Sequence, residues 1–160
     1  MDYRIREMKR EEYPLLERFL YEAIFQRAGA EPLPEAVIFN PDLYRYIDRF
    51  GEKMDDYCLC AEADGQVVGA VWVRTIPGYG SINETTPELA ISLLPEVRGR
   101  GIGTELLHRI LLHLKESGYP EISLSVQKDN YARNMYLGAG FQILKETEEE
   151  WVMVCRLEEV

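Results

Sequence analysis

Apolar and polar positions change period several times along the chain, and each change marks an element. Tyr3-Arg4-Ile5-Arg6 alternates and predicts a short first strand. From Glu11 to about Phe25 the apolar residues Leu15, Leu16, Phe19, Leu20, Ala23 and Ile24 recur at helical spacing. Gly29-Ala30-Glu31-Pro32-Leu33-Pro34 breaks that pattern as an exposed loop. Pro41 opens a second predicted helix through about Phe50, with Gly51 beyond its end. Tyr57 to Ala63 and Gln66 to Ile76 read as strands joined by an Asp64-Gly65 hairpin turn. A loop runs from Pro77 to about Pro87, and Leu89 to Leu94 is the next strand. Thr104 to Ser117 is a helix stopped by Gly118 and Pro120, and Ile122 to Val126 is a strand. Asn130 caps a helix to about Leu137, followed by Gly138 and Gly140. Phe141 to about Lys145 and Trp151 to Leu157 are the last strands, around the acidic turn Glu146 to Glu150.

The order β-α-α-β-β-β-α-β-α-β-β mixes hairpins with helical crossovers. It predicts an α/β protein of the α+β mixed-sheet kind, with helices on the sheet's faces, rather than a purely parallel doubly wound sheet. There is no repeat, linker or low-complexity tract, so a single domain over residues 1–160 is expected.

Composition narrows the function. Hydrophobic residues make up 46% and charged residues 29%, as in a soluble globular protein. No apolar run approaches the roughly 20 residues that span a bilayer, so no membrane partner is expected. The first residues carry no apolar signal core, so cytoplasmic residence is the expectation. Cys58, Cys60 and Cys155 sit in apolar strand contexts and read as buried thiols, with no metal site. With 28 acidic and 18 basic residues the net charge is −10. That disfavours nucleic acid as the main partner; such a surface attracts cationic small molecules or basic peptides, though more often it serves only to keep a protein soluble.

The segment with most chemistry is Leu89 to Leu107. An apolar strand ends at Pro95, a turn follows with glycine at 99, 101 and 103, and a helix begins at once. Such a turn exposes backbone N–H groups at a helix N-terminus, where the dipole favours an anion. A dinucleotide site needs Gly-x-Gly-x-x-Gly, but the spacing here is Gly-x-Gly-x-Gly. A triphosphate loop needs Lys-Ser/Thr after the last glycine, but Thr104-Glu105 follows. Coenzyme A and a purely structural turn remain.

Arg98-Gly99-Arg100-Gly101-Ile102-Gly103 matches Arg/Gln-x-x-Gly-x-Gly/Ala, and in this it resembles the acyl-CoA pyrophosphate signature of the GNAT N-acetyltransferase superfamily. Asn130 to Phe141 resembles the second signature, Asn-x-Ala-x-x-x-Tyr-x-x-x-Gly-Phe. The pair, in order and properly spaced, is far more specific than either alone. The resemblance is strong from about Tyr57 to Leu157 and weaker over residues 1–56, the segment that shapes the acceptor site in this superfamily. It implies a mixed sheet of about seven strands flanked by about four helices. It also implies acetyl-CoA as co-substrate, no metal, and direct transfer to a primary amine of a small molecule or peptide. A homodimer is compatible with it.

Residue roles follow from the same resemblance. The backbone from Arg98 through Gly99, Arg100, Gly101, Ile102 and Gly103 to Thr104 would wrap the pyrophosphate. The backbone at Ile91, Ser92 and Leu93 would pair with the pantetheine arm and donate to the thioester oxygen. Asn130 would touch the same arm, cap the helix, or both. Tyr136 would protonate the leaving thiolate, since an ordinary tyrosine stays protonated at neutral pH; its helical stripe with Ala132, Met135 and Ala139 reads equally as core. Glu88 matches the position of a general base acting through water, or is a solvated strand end; Glu84 is a poorer candidate. His108 and His113 fall on different helix faces and imply no metal pair. Phe25, Tyr44, Tyr46 and Tyr79 are expected to line the acceptor pocket, between the first two helices and the loop Pro77 to Pro87. The rival reading is a binding module that senses acyl-CoA and turns nothing over.

Overall fold

The computed structural model describes all of residues 1–160. Its frame is a seven-stranded mixed sheet, ordered β1-β2-β3-β4-β5-β7-β6. The strands are β1 (Arg4–Glu7), β2 (Tyr57–Ala63), β3 (Gln66–Arg74), β4 (Glu88–Leu93), β5 (Glu121–Gln127), β6 (Gln142–Glu146) and β7 (Glu150–Arg156). The helices are α1 (Leu16–Ala23), α2 (Pro41–Tyr44), α3 (Ile102–Glu116) and α4 (Ala132–Ala139). No helix is long and apolar enough to cross a membrane. Cys58, Cys60 and Cys155 are buried free thiols.

Neighbouring strands are antiparallel except β4 and β5, which run parallel because α3 carries the chain between them. On α3 the residues Ile102, Leu106, Leu107, Ile110, Leu111 and Leu114 are almost fully buried, as the 3.6-residue period requires of a helix laid on a sheet. Alternation along β4 distributes the layers. Leu93 points toward α3, where a Cβ on Gly69 would collide with Leu93 and crowd Leu106. Ser92 points the other way and donates from Oγ to the Phe19 carbonyl of α1 at 2.6 Å. The sheet is therefore sandwiched between α1 and α3.

Three segments depart from the sequence reading. The stretch before α1 is a 3-10 turn from Arg10 to Leu15, since Pro14 has no N–H to give an α-helical ladder. A further 3-10 turn, Glu35–Phe39, follows the proline-rich loop. The helix expected to reach Phe50 stops at Tyr44. Beyond it the carbonyls of Arg45 and Asp48 accept from Arg74, and that of Tyr46 accepts from the Trp72 indole at 3.1 Å. Side chains of β3 thus hold this segment as a series of turns.

Candidate functional site

The parallel pair β4–β5 supplies the site by failing to stay paired. Its only bridge is Glu88 with Ser123. Past that point the strands part, while β4 keeps its full register with β3 and β5 with β7. A strand bonded on one edge leaves every second N–H and C=O pointing to the other. The inner edges, Leu89 to Leu93 and Ser125 to Gln127, therefore line a cleft of about 1020 Å³. Its other walls come from residues 22–26 at and beyond the end of α1, from Tyr46 and Tyr79, and from Asn130, Ala132, Met135 and Tyr136 around α4.

The glycine turn closes one end. Gly99 and Gly101 have φ of 77° and 85°, left-handed backbone that disfavours a Cβ, and nothing lies within 4 Å of a Cβ built on either. Their need for glycine is thus a matter of backbone shape. Gly103 lines the cleft itself. Six consecutive backbone N–H groups, Gly99 to Thr104, donate to no backbone carbonyl, because the α3 ladder starts with Glu105 bonded to Gly101 at 3.1 Å. That is a dense row of free donors at a helix N-terminus, suited to a pyrophosphate. Arg98 is already engaged: its guanidinium holds Glu22 of α1 at 3.1 Å and the Leu93 carbonyl at 3.3 Å. Arg100 is exposed and forms no ion pair.

At the cleft's other wall, Asn130, one residue ahead of the Tyr131 N-cap, accepts through Oδ1 from the first N–H of α4, Ala132, at 2.9 Å and also lines the cleft. Tyr136 is buried, packs edge-on against Phe141, and faces the cleft. Burial alone pushes its phenol well above the ordinary value, so it stays protonated throughout the physiological range.

Glu88 is not where a solvated strand end would be. It is 2% exposed and does not line the cleft. Its carboxylate accepts from the Tyr46 hydroxyl at 2.7 Å and from the N–H groups of Gly78 at 2.8 Å and Gly80 at 3.1 Å. Burial raises its pKa, and these bonds pull partly back. The loop Gly78-Tyr79-Gly80 is wedged into the split between β4 and β5: a Cβ on Gly80 would sit 2.5–2.9 Å from the Leu124–Ser125 backbone. Tyr46 joins the parts, since its hydroxyl also accepts from the Tyr79 N–H at 2.9 Å and its side chain lines the cleft.

The free-amide turn and the cleft-facing tyrosine of α4 fall on the two stretches that carry the sequence signatures, while the strand split between them has no counterpart in the sequence pattern. A model of the acetyltransferase (GNAT) family matches residues 7–141. The chain belongs to the GNAT acetyltransferase family. Among curated relatives, the mycothiol acetyltransferase of Cellulomonas flavigena is 34% identical over 89 residues, 52% of this chain and 26% of that protein. The mycothiol acetyltransferase of a Nocardioides species is 36% identical over 89 residues, 51% and 30% respectively. The chain thus spans less than a third of the length of these relatives. Among solved structures, the PaiA N-acetyltransferase of Thermoplasma acidophilum with coenzyme A superposes with a TM-score of 0.71 at 22% identity, covering 98% of this chain and 99% of that one. The putative acetyltransferase yncA of Salmonella typhimurium with acetyl-CoA gives 0.69 at 17% identity, over 98% and 95%. Both share the GNAT fold.

Of the residues expected at the acceptor pocket, Phe25, Tyr46 and Tyr79 line the GNAT cleft. Tyr44 does not: it bonds Glu17 at 2.9 Å and stacks on Phe39. His108 is exposed, His113 stacks on Tyr57, and neither lines the cleft. Glu84 is exposed in its loop. The sequence reading missed the bond from Tyr46 to Glu88. The Gly-x-Gly pair at 78 and 80 was its only trace, since two glycines flanking one tyrosine signal a close backbone approach.

Proposed function

We propose that residues 1–160 act as one GNAT domain and transfer an acetyl group from acetyl-CoA directly to a primary amine of a small molecule or peptide. The observation that carries this reading is the row of free amides from Gly99 to Thr104, whose Gly103 lines the same cleft as Tyr136. Acetyl-CoA supplies an acyl group activated as a thioester. The amides of the glycine turn hold its pyrophosphate. The open edge at Ile91, Ser92 and Leu93 bonds its extended arm and offers an N–H to the thioester oxygen as negative charge develops there.

Proton handling falls to two tyrosines and one carboxylate. The amine attacks the carbonyl carbon, forming the C–N bond, and the C–S bond breaks. Tyr136 donates its proton to the departing sulfur and recovers one from solvent. Glu88 takes the amine's proton, and the route runs through Tyr46, because Tyr46 lines the cleft and Glu88 lies behind it. One proton passes from amine to the Tyr46 oxygen as the Tyr46 proton passes to Glu88, and Glu88 releases its proton to solvent after turnover. No phenolate is needed at Tyr46, whose own ionisation burial and the neighbouring Glu88 oppose.

The test is free-thiol release by purified protein given acetyl-CoA and a panel of amines. Turnover supports the reading. Tight CoA binding without turnover on any amine would favour the sensing module instead. Two predictions belong here. The carboxylate of Glu88 must be ionised to accept a proton, and its pKa lies above the usual glutamate value. Hence kcat/KM should rise with pH on an acid limb displaced upward from the ordinary carboxylate range, and Glu88→Gln should remove that limb along with most activity. Gly101→Val places a β-branched side chain at φ 85°, at a cost of about 1–2 kcal/mol, and distorts the amide row. Calorimetry should then show acetyl-CoA binding weakened by roughly tenfold or more.

A further inference from the structure

Two arginines meet at the turns after α2, and they are used in opposite ways. Arg74 commits its guanidinium to both oxygens of Asp56 and to the carbonyls of Arg45 and Asp48. Arg45 makes only a long ion pair and a ring contact. No nitrogen of its side chain donates a hydrogen bond, and its Nε is sealed from solvent without a partner. Its one ion pair, to exposed Asp42, spans 3.9 Å, and its side chain is only 28% exposed. No other arginine nitrogen in the chain is both buried and unpartnered.

Arg45 is not itself among the residues that line the cleft, but it packs on one that is. Its guanidinium lies over the Tyr79 ring, 5.3 Å from the centroid. Tyr79 stacks on Tyr46 at 6.5 Å with the planes 13° apart, and both tyrosines line the cleft. Tyr46 and Tyr79 are tied to Glu88, at the start of β4, whereas the glycine turn follows its end. Five residue steps of extended strand put about 16 Å between those ends. Arg45 therefore belongs to the acceptor end and not to the phosphate end. Its charge is felt there, favouring the ionised forms of both Glu88 and Tyr46.

We propose that Arg45 anchors a carboxylate of the acceptor, so that the acceptor class is amino acids, or peptides presenting a carboxylate near the reacting amine. This rests on the transferase reading above and refines its substrate. A guanidinium offers a planar fork of donors that fits a carboxylate. One cation with Asp42, Asp48 and Glu88 nearby suits a monoanion better than a phosphate dianion. With the carboxylate on Arg45, the amine of the same molecule faces Tyr46, through which Glu88 takes its proton. The net charge of −10 attracts cations; the local field at Arg45 has the opposite sign.

The experiment pairs free amino acids with their carboxamides, which keep the amine and side chain but lose the negative charge. Thiol release is measured for the wild type and for Arg45→Gln, a change that breaks no hydrogen bond of the fold. The wild type should prefer the acids through a lower KM. Arg45→Gln should raise KM for the acids by about 10- to 100-fold, the loss of one charged bond pair, and leave KM for acetyl-CoA and for the carboxamides unchanged. A wild type that prefers carboxamides, or an Arg45→Gln variant that keeps the preference for acids, overturns the proposal. Calorimetric titration of the CoA-loaded protein with the same pairs separates the two readings. Acid-selective binding that disappears in Arg45→Gln supports the anchor even if no acceptor is turned over, which would sink the transferase reading alone. Equal binding of acid and carboxamide sinks the anchor even if transfer is brisk.

Discussion

Tyr136→Phe is expected to lower kcat by about 10²-fold or more, with KM for acetyl-CoA nearly unchanged. The substitution removes one oxygen. The ring stays packed against Phe141, and the hydroxyl holds no other part of the fold, since burial is the sole influence on its acidity. What disappears is a proton donor for the leaving sulfur. A thiolate can leave without help, so the loss should be large but incomplete. Because the wild-type phenol stays protonated far above neutrality, no basic limb from Tyr136 should appear below about pH 10. Initial rates of thiol release across pH decide the matter. An unchanged kcat in Tyr136→Phe would remove this residue from the mechanism and leave its burial as its only role.

Arg74→Met should give the largest stability loss, about 3–5 kcal/mol, read as a fall in Tm of roughly 10 °C or more. The Arg74–Asp56 pair is bidentate at 2.8–2.9 Å, with side chains 1% and 0% exposed. Removing the arginine leaves Asp56 as a buried carboxylate with only the N–H groups of Gly51 and Lys53. It also strands the carbonyls of Arg45 and Asp48. Replacing both partners, Arg74→Met with Asp56→Leu, should recover part of the loss, since no unpaired charge then remains. If the single variant melts like the wild type, the pair does not organise the turns. Activity should suffer beyond the loss of folded protein, because Arg74 and Trp72 fix the backbone on either side of Tyr46, and Tyr46 carries the bond to Glu88.

Much of this fold is written locally. The apolar runs on either side of Asp64-Gly65 specify a hairpin buried on both faces, and the apolar stripe from Leu106 to Leu114 specifies a helix laid on a sheet, because its period decides which face is buried. The glycine turn is equally legible. Positive φ at Gly99 and Gly101 is a property of the backbone at those positions, so the residue type reports it directly. The second helix was less legible. Pro41 opens it correctly, but its end at Tyr44 is imposed by Arg74 and Trp72, which lie about thirty residues further along the chain. Arg98 shows the same limit, since nothing near it in the sequence announces its pairing with Glu22.

The sequence by itself determined the order of elements, the parallel crossover through α3 and the donor signature, because each depends on short-range period or on backbone conformations that one residue type permits. Only the tertiary structure decided how β4 and β5 part after Glu88, and that separation turns strand edges into a cleft. It alone decided that Glu88 is sealed behind Tyr46, that Tyr44 faces away, and that Arg45 is left without a hydrogen-bond acceptor while Arg74 is saturated. Those are outcomes of competition among groups far apart in the chain, settled by burial and by which donors reach which acceptors once the core has closed.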